Sequence, residues 1–180
     1  MLKKIAIIGP ESTGKSTLCE QLAQQYATLW CPEFARRYLL THGTNYSYDD
    51  LLIIAKGQVT LEDEYIERSN KPGRANSLLF IDTEMYVMKV WCEFVYDQCH
   101  RFILDQVVTR QYDLYFLCKT DLPWVKDELR EYPDLVTREK LYHIYKDIMI
   151  NQPVPWIEIS GSYTERFQKA VAEVDTVMKP

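Results

Sequence analysis

The sequence predicts an α/β chain in three layers, with helices on both faces of a parallel sheet of about five strands. Two observations carry this. Short runs of Ile, Val, Leu and aromatic residues recur along the chain, separated by longer stretches at helical spacing, which is the pattern of strands joined by crossover helices. Within each run the apolar residues are consecutive rather than alternating, as burial on both faces requires.

The first strand is expected over residues 4–8, followed by a helix from Lys15 to about Tyr26. A weaker strand at 28–31 precedes Pro32, which suits the start of a helix. Next, Leu51, Ile54, Leu61 and Tyr65 form one helical face. Gln58 interrupts that stripe after Gly57, and two roles fit it: holding a buried backbone group, or touching a substrate. A strand at 78–82 leads into a second stripe of Val87, Val90, Trp91, Phe94 and Val95, whose spacing assigns it to the core. Trp91 with Tyr86, and Trp30, have rings suited to stacking on a base, but periodicity favours packing for them too. After a strand at 113–118, residues 121–137 carry many charges together with Pro123 and Pro133, as expected of a long irregular insert acting as a lid. The last strand is expected at 156–160.

Directly after the first strand stands Gly9-Pro10-Glu11-Ser12-Thr13-Gly14-Lys15-Ser16-Thr17, a full G-x-x-x-x-G-K-[ST] match between strand and helix. Such a loop turns its backbone N–H groups, and the positive end of the following helix, onto phosphate oxygens. The fold expected is therefore the P-loop NTPase fold, one domain over 1–180 with the lid insert. Gly9, Glu11, Ser12, Thr13, Gly14, Lys15, Ser16 and Thr17 are expected around the phosphates, Lys15 on the terminal ones and Ser16 on Mg²⁺. Asp82, at the end of its strand, fits the second metal-side acid; capping the next helix fits it as well.

Phosphoryl transfer to a hydroxyl also needs a carboxylate near the acceptor and cations over the moving group. Glu33, expected at the carboxyl end of a strand, fits the first need. Arg130 and Arg138 of the insert fit the second, with Trp124 as an apolar anchor. Cys118-Lys119-Thr120-Asp121 lies one residue from the guanine-reading pattern of switch GTPases, but Asp82-Thr83-Glu84-Met85 lacks the glycine those switches place three residues after the acid.

The chain has 180 residues with 21 basic and 26 acidic, a net charge of −5, which disfavours a nucleic-acid partner. No apolar run is long enough to cross a membrane or complete a signal peptide. Its 5 cysteines include no Cys-x-x-Cys pair, so reduced thiols in the cytoplasm are expected.

Taken in order, these motifs resemble the nicotinamide riboside kinase domain of the bacterial NadR proteins, among the P-loop nucleoside kinases. The resembling elements are Gly9 to Ser16, Glu33 to Arg36, Gly57-Gln58 and Ile81-Asp82-Thr83. Trp124-Val125-x-Asp127-x-Leu129-Arg130, and Trp156 to Ile159 with Tyr163 and Arg166, complete the set. The resemblance implies transfer of the ATP γ-phosphoryl group to the 5′-hydroxyl of nicotinamide riboside, giving nicotinamide mononucleotide for NAD salvage, with Mg²⁺ as cofactor. It also implies Asp82 at the catalytic centre and Glu33 and Arg36 beside the acceptor, where Gln58 and Trp124 are further candidates. Ser160 and Tyr163 would border the adenine. The general base stays open between Asp82 and Glu33. A kinase for another nucleoside and a regulatory ATPase without an acceptor are the alternatives. Similar domains tend to carry Asp-Thr-Asp at 82–84 and Asp-Gly-Leu-Arg at 127–130, so the role of Glu84 is open. Because the chain begins at its first strand, the DNA-binding and adenylyltransferase domains of full-length NadR are expected to be absent.

Overall fold

Alternate residues of the strands look to opposite faces of one sheet, and each face is covered by its own helices. The computed structural model describes residues 2–71 and 77–179. Its elements run β1 (Lys3–Ile8), α1 (Lys15–Gln25), β2 (Leu29–Cys31), α2 (Phe34–His42), α3 (Tyr48–Ser69), β3 (Leu78–Asp82) and α4 (Met85–Tyr96). They continue α5 (Arg101–Thr109), β4 (Leu114–Cys118), α6 (Leu135–Asn151), β5 (Trp156–Ile159) and α7 (Tyr163–Val177). The sheet is five-stranded and parallel, in the order β2-β3-β1-β4-β5. The expected fold class stands.

Ile5, Ile7, Phe80 and Phe116 pack with Leu18 and Leu22 of α1 and Ala170 and Val174 of α7. On the other face, Ala6, Ile8, Leu79, Ile81 and Leu117 pack with Val87 and Val90 of α4 and Leu141 and Tyr145 of α6. A third cluster joins α2, α3, α4 and α5. The order of strands puts β1 and β3 side by side, with Ile7 opposite Asp82. The loops after these two strands therefore meet at one edge, the carboxyl edge where α/β sheets bind ligands.

The second apolar stripe lies whole within α4, which Asp97, left-handed at φ 53°, separates from α5. One feature differs from expectation. The insert closes before residue 137, because the Asp134 carboxylate accepts the Thr137 N–H at 2.7 Å and starts α6 at Leu135.

Candidate active site

A chain leaving β1 must turn sharply to present its amides above the sheet, and Gly9 makes the turn. Its φ is 137°, and a Cβ there would lie 2.6 Å from the Cys118 carbonyl oxygen, so no other residue fits. Gly14 then starts α1 in the left-handed region with no side-chain cap. By contrast α3, α4, α6 and α7 are capped by Ser47, Glu84, Asp134 and Ser162. The first amides of α1 are thus left for a ligand. Lys15 Nζ donates to the Pro10 carbonyl at 2.8 Å, and the Thr13 hydroxyl to the same oxygen at 2.7 Å.

Ser16 Oγ donates to Asp82 Oδ2 at 2.5 Å, joining the loop after β1 to the end of β3. Asp82 is 1% exposed, and its Oδ1 is buried with no hydrogen-bond partner among the described residues. Thr83 follows with φ 73°, a strained state for a β-branched residue. Glu84 beyond it is fully buried: both its carboxylate oxygens accept the Tyr86 N–H at 2.9 Å, capping α4. Glu84 is a helix cap and not a second acid facing the ligand.

The phosphate loop borders a cavity of about 260 Å³, while Asp82, Thr83 and Glu84 lie outside its lining. Gly9 through Thr17 and Tyr163 form one end, and Glu33, Arg36, Leu39, Val87, Val90, Trp91, Phe94, Leu141 and Tyr145 wall the other. Leu129, Arg130, Glu131 and Tyr132 of the insert roof it. Glu33 is the N-cap residue of α2 yet makes no capping bond, and it lines the cavity. Burial, then the charge of Asp82, push its carboxyl up to about 7, against the opposing pull of Lys15, Arg36 and the Thr83 hydroxyl. Burial likewise raises Asp82, while Lys15 and Ser16 oppose it.

Gln58 does not line the cavity. Its Oε1 accepts the Phe34 N–H at 2.6 Å and its Nε2 donates to the Pro32 carbonyl at 3.3 Å, so its amide is spent on the backbone either side of Glu33. Gly57 makes room for this, since a Cβ there would stand 2.2 Å from the Phe34 ring. The substrate-contact reading of Gln58 gives way to that of a backbone clamp.

The insert is fastened across the cavity. Glu11 accepts Trp124 Nε1 at 3.2 Å and the Glu131 and Tyr132 N–H groups at 2.8 Å each. Ser12 Oγ accepts the Val125 N–H at 3.0 Å. Arg36 pairs with Asp127 in a two-pronged bridge of 3.0 and 3.3 Å. Trp124 is accordingly a fastening and not a cavity wall, which corrects its assignment to the substrate. Arg130 lines the cavity and donates to Val125 O of its own loop. Arg138 is buried within α6, with Nε and Nη1 unpaired among the described residues. Ser160 follows β5 outside the cavity lining, whereas Tyr163 lies within it. Asp121 accepts from Arg166 and from the Gly161 N–H at 2.6 Å, so its carboxylate is not held out to a guanine.

Sequence reasoning missed the aromatic wall. Trp91 donates to Tyr46 Oη at 2.8 Å, and Tyr46 donates to Glu131 at 2.9 Å; Phe94 meets Tyr132 edge to face at 5.6 Å. The signal was the stripe 87-90-91-94 itself, whose spacing is the same for a core face and for a cavity wall.

The family model for an AAA domain matches residues 4–166. The Trifunctional NAD biosynthesis/regulator protein NadR of Escherichia coli (strain K12) is 29% identical over 98% of this chain, which spans 43% of that protein. Among solved structures, NadR in complex with NR superposes with a TM-score of 0.78 at 18% identity, over 98% of this chain and 49% of that one. NadR in complex with NAD and AMP-PNP gives 0.71 at 20% identity, over the same shares. At these identities the structural likenesses establish the fold.

Proposed function

This chain belongs to the AAA domain family, and from that premise we propose that it is an ATP-dependent kinase that phosphorylates the 5′-hydroxyl of nicotinamide riboside to nicotinamide mononucleotide. One observation carries the reading: a single cavity holds a phosphate-binding loop at one end and a half-buried carboxylate, Glu33, beside an aromatic wall at the other. That is the arrangement in-line transfer from a nucleotide to a nucleoside hydroxyl requires. The likeness to NadR over 98% of the chain supports the substrate, and the NadR complexes with NR and with AMP-PNP support acceptor and donor.

Mg²⁺ fits the residues present, because Ser16 and the unpartnered Asp82 Oδ1 offer hard oxygen donors below the phosphate loop. When bound, it offsets charge on the donor phosphates. Lys15 leaves the Pro10 carbonyl for the terminal phosphates, to which a loop of this kind turns its backbone amides. Glu33 lines the cavity, and its ionised carboxylate, made more basic by burial, accepts the proton of the acceptor hydroxyl. Asp82 lies beneath, tied to Ser16, and serves the metal side. Trp91, Phe94 and Tyr132 enclose the base, and the insert excludes water. Arg130 of that roof meets the moving phosphoryl group.

A cytoplasmic location belongs to the same proposal, and the five free cysteines are compatible with a reducing compartment. Among the described residues no helix is long and apolar enough to cross a membrane. The test is ADP release from ATP with nicotinamide riboside, thymidine or guanosine as acceptor. The expected outcome is release driven most strongly by nicotinamide riboside. Release driven by another nucleoside discards the substrate and keeps the mechanism; no acceptor-dependent release sinks the kinase reading.

A further inference from the structure

Arg166 has no part in the transfer described above, yet it is one of the most heavily bonded side chains in the molecule. It lies in the first turn of α7 and is 2% exposed. Its Nε donates to the Gly161 carbonyl at 2.7 Å, Nη1 to the Thr13 carbonyl at 3.0 Å, and Nη2 to the Lys119 carbonyl at 3.0 Å and to Asp121. Three separate loops are joined by this one guanidinium: the phosphate loop, the root of the insert after β4, and the turn between β5 and α7. Asp121 closes the circuit by accepting the Gly161 N–H.

The contact with Thr13 has a directional consequence. The Thr13–Gly14 peptide is trans, as are all those described, and in a planar trans peptide the carbonyl and the following N–H point opposite ways. Fixing the Thr13 carbonyl toward Arg166 therefore turns the Gly14 N–H away from that guanidinium, in a stretch of the loop where both residues line the cavity. Gly14 would not hold that plane unaided, because it has no Cβ and its φ of 79° is one of several states open to glycine. Lysine could not replace the arginine fully, since one ammonium does not span four acceptors held in a planar fork.

Resting on the kinase reading of the site, we propose that Arg166 is a positioning residue for the donor phosphates: it acts through the Thr13 carbonyl to aim the loop amides, and Asp121 in turn orients Arg166. The proposal predicts a defect confined to the phosphate part of the donor.

Binding of a fluorescent N-methylanthraniloyl ATP, with displacement by tripolyphosphate or by adenosine, tests it without any turnover. Arg166→Met should weaken the analogue and tripolyphosphate by about tenfold, the scale of one lost charge-assisted hydrogen bond, and leave adenosine nearly unchanged. Arg166→Lys should recover part of the loss. Asp121→Asn, at a half-exposed position, should give a smaller loss of the same kind. A folded Arg166→Met that binds tripolyphosphate as the wild type does, or that weakens adenosine in equal proportion, overturns the proposal. If Arg166→Met does not fold, the same two outcomes in Asp121→Asn decide. Wild-type binding of the analogue without phosphorylation of any nucleoside overturns the kinase reading and leaves the positioning result to stand on its own.

Discussion

The two ends of the cavity are held by different means. At the donor end the ligand-facing groups are backbone amides, fixed by glycines at 9 and 14 and braced from behind by Arg166 and by the Ser16–Asp82 bond. At the acceptor end they are side chains of α2, α4, α6 and the insert, assembled from residues far apart in sequence. A backbone-built site tolerates few changes of conformation but many of neighbouring side chains. A wall of side chains is the reverse, and its fit is set residue by residue. Chemistry common to all phosphate donors is thus carried by the rigid end, and discrimination between acceptors by the adaptable one.

The largest expected effect breaks the donor end alone. Lys15→Ala removes the one charged group of the loop that reaches the terminal phosphates, and should lower kcat at least about 10²-fold with every acceptor tried. Steady-state kinetics with two acceptors checks this. A loss that differs strongly between acceptors would mean that Lys15 also reads the nucleoside, and the division between the ends would be wrong.

A smaller effect should cross the division. Glu11 belongs to the donor loop by sequence, but its carboxylate is spent on Trp124, Glu131 and Tyr132 of the roof. Glu11→Ala should therefore raise the acceptor KM by about tenfold, the scale of lost hydrogen bonds to a charged group, while the ATP KM changes little. An ATP-selective defect would return Glu11 to the donor end. Arg36–Asp127 fastens the same roof from α2, but half of the Arg36 side chain is in water, so this bridge adds little by itself.

The same contrast explains what the sequence made legible. The phosphate loop is contiguous, and its chemistry dictates glycine, lysine and serine at fixed spacing, so Gly9 to Thr17 could be read directly. Strands buried on both faces announce themselves as well, and the parallel sheet followed. Val87, Val90, Trp91 and Phe94 could not be told from core, because periodicity reports which face is apolar and not whether it meets protein or a cavity. Gln58 was ambiguous for a related reason: a polar residue in an apolar stripe signals a partner without saying which, and only the fold brings Pro32 and Phe34 to it. The Glu11 fastening spans about 120 residues of sequence and left no local trace.

The smallest effect on activity should come from Glu84, and it concerns how the acceptor wall is anchored. Asp82 and Glu84 are two residues apart but turned to different sides by the strained Thr83. Near Asp82 stands the cation Lys15, whereas the charged neighbour that matters most to Glu84, after burial and the Tyr86 N–H, is another acid, Glu62; burial outweighs the N–H groups of α4 and pushes the Glu84 carboxyl up to about 8. The unfolded chain releases this proton near 4.5 and the folded chain near 8. Between those values the native state holds the extra proton, so stability is fully kept at low pH and falls as pH rises, by at most about 1.4 kcal/mol per pH unit from this group. Glu84→Gln keeps an acceptor for the Tyr86 N–H and carries no charge to bury. Thermal melts in metal-free buffer from pH 5 to 8 should show the wild type losing stability relative to Glu84→Gln as pH rises, with the two converging near pH 5. Parallel curves would mean that Glu84 is ionised throughout, and α4 would then be anchored by charge, as the donor end is, rather than by a neutral cap.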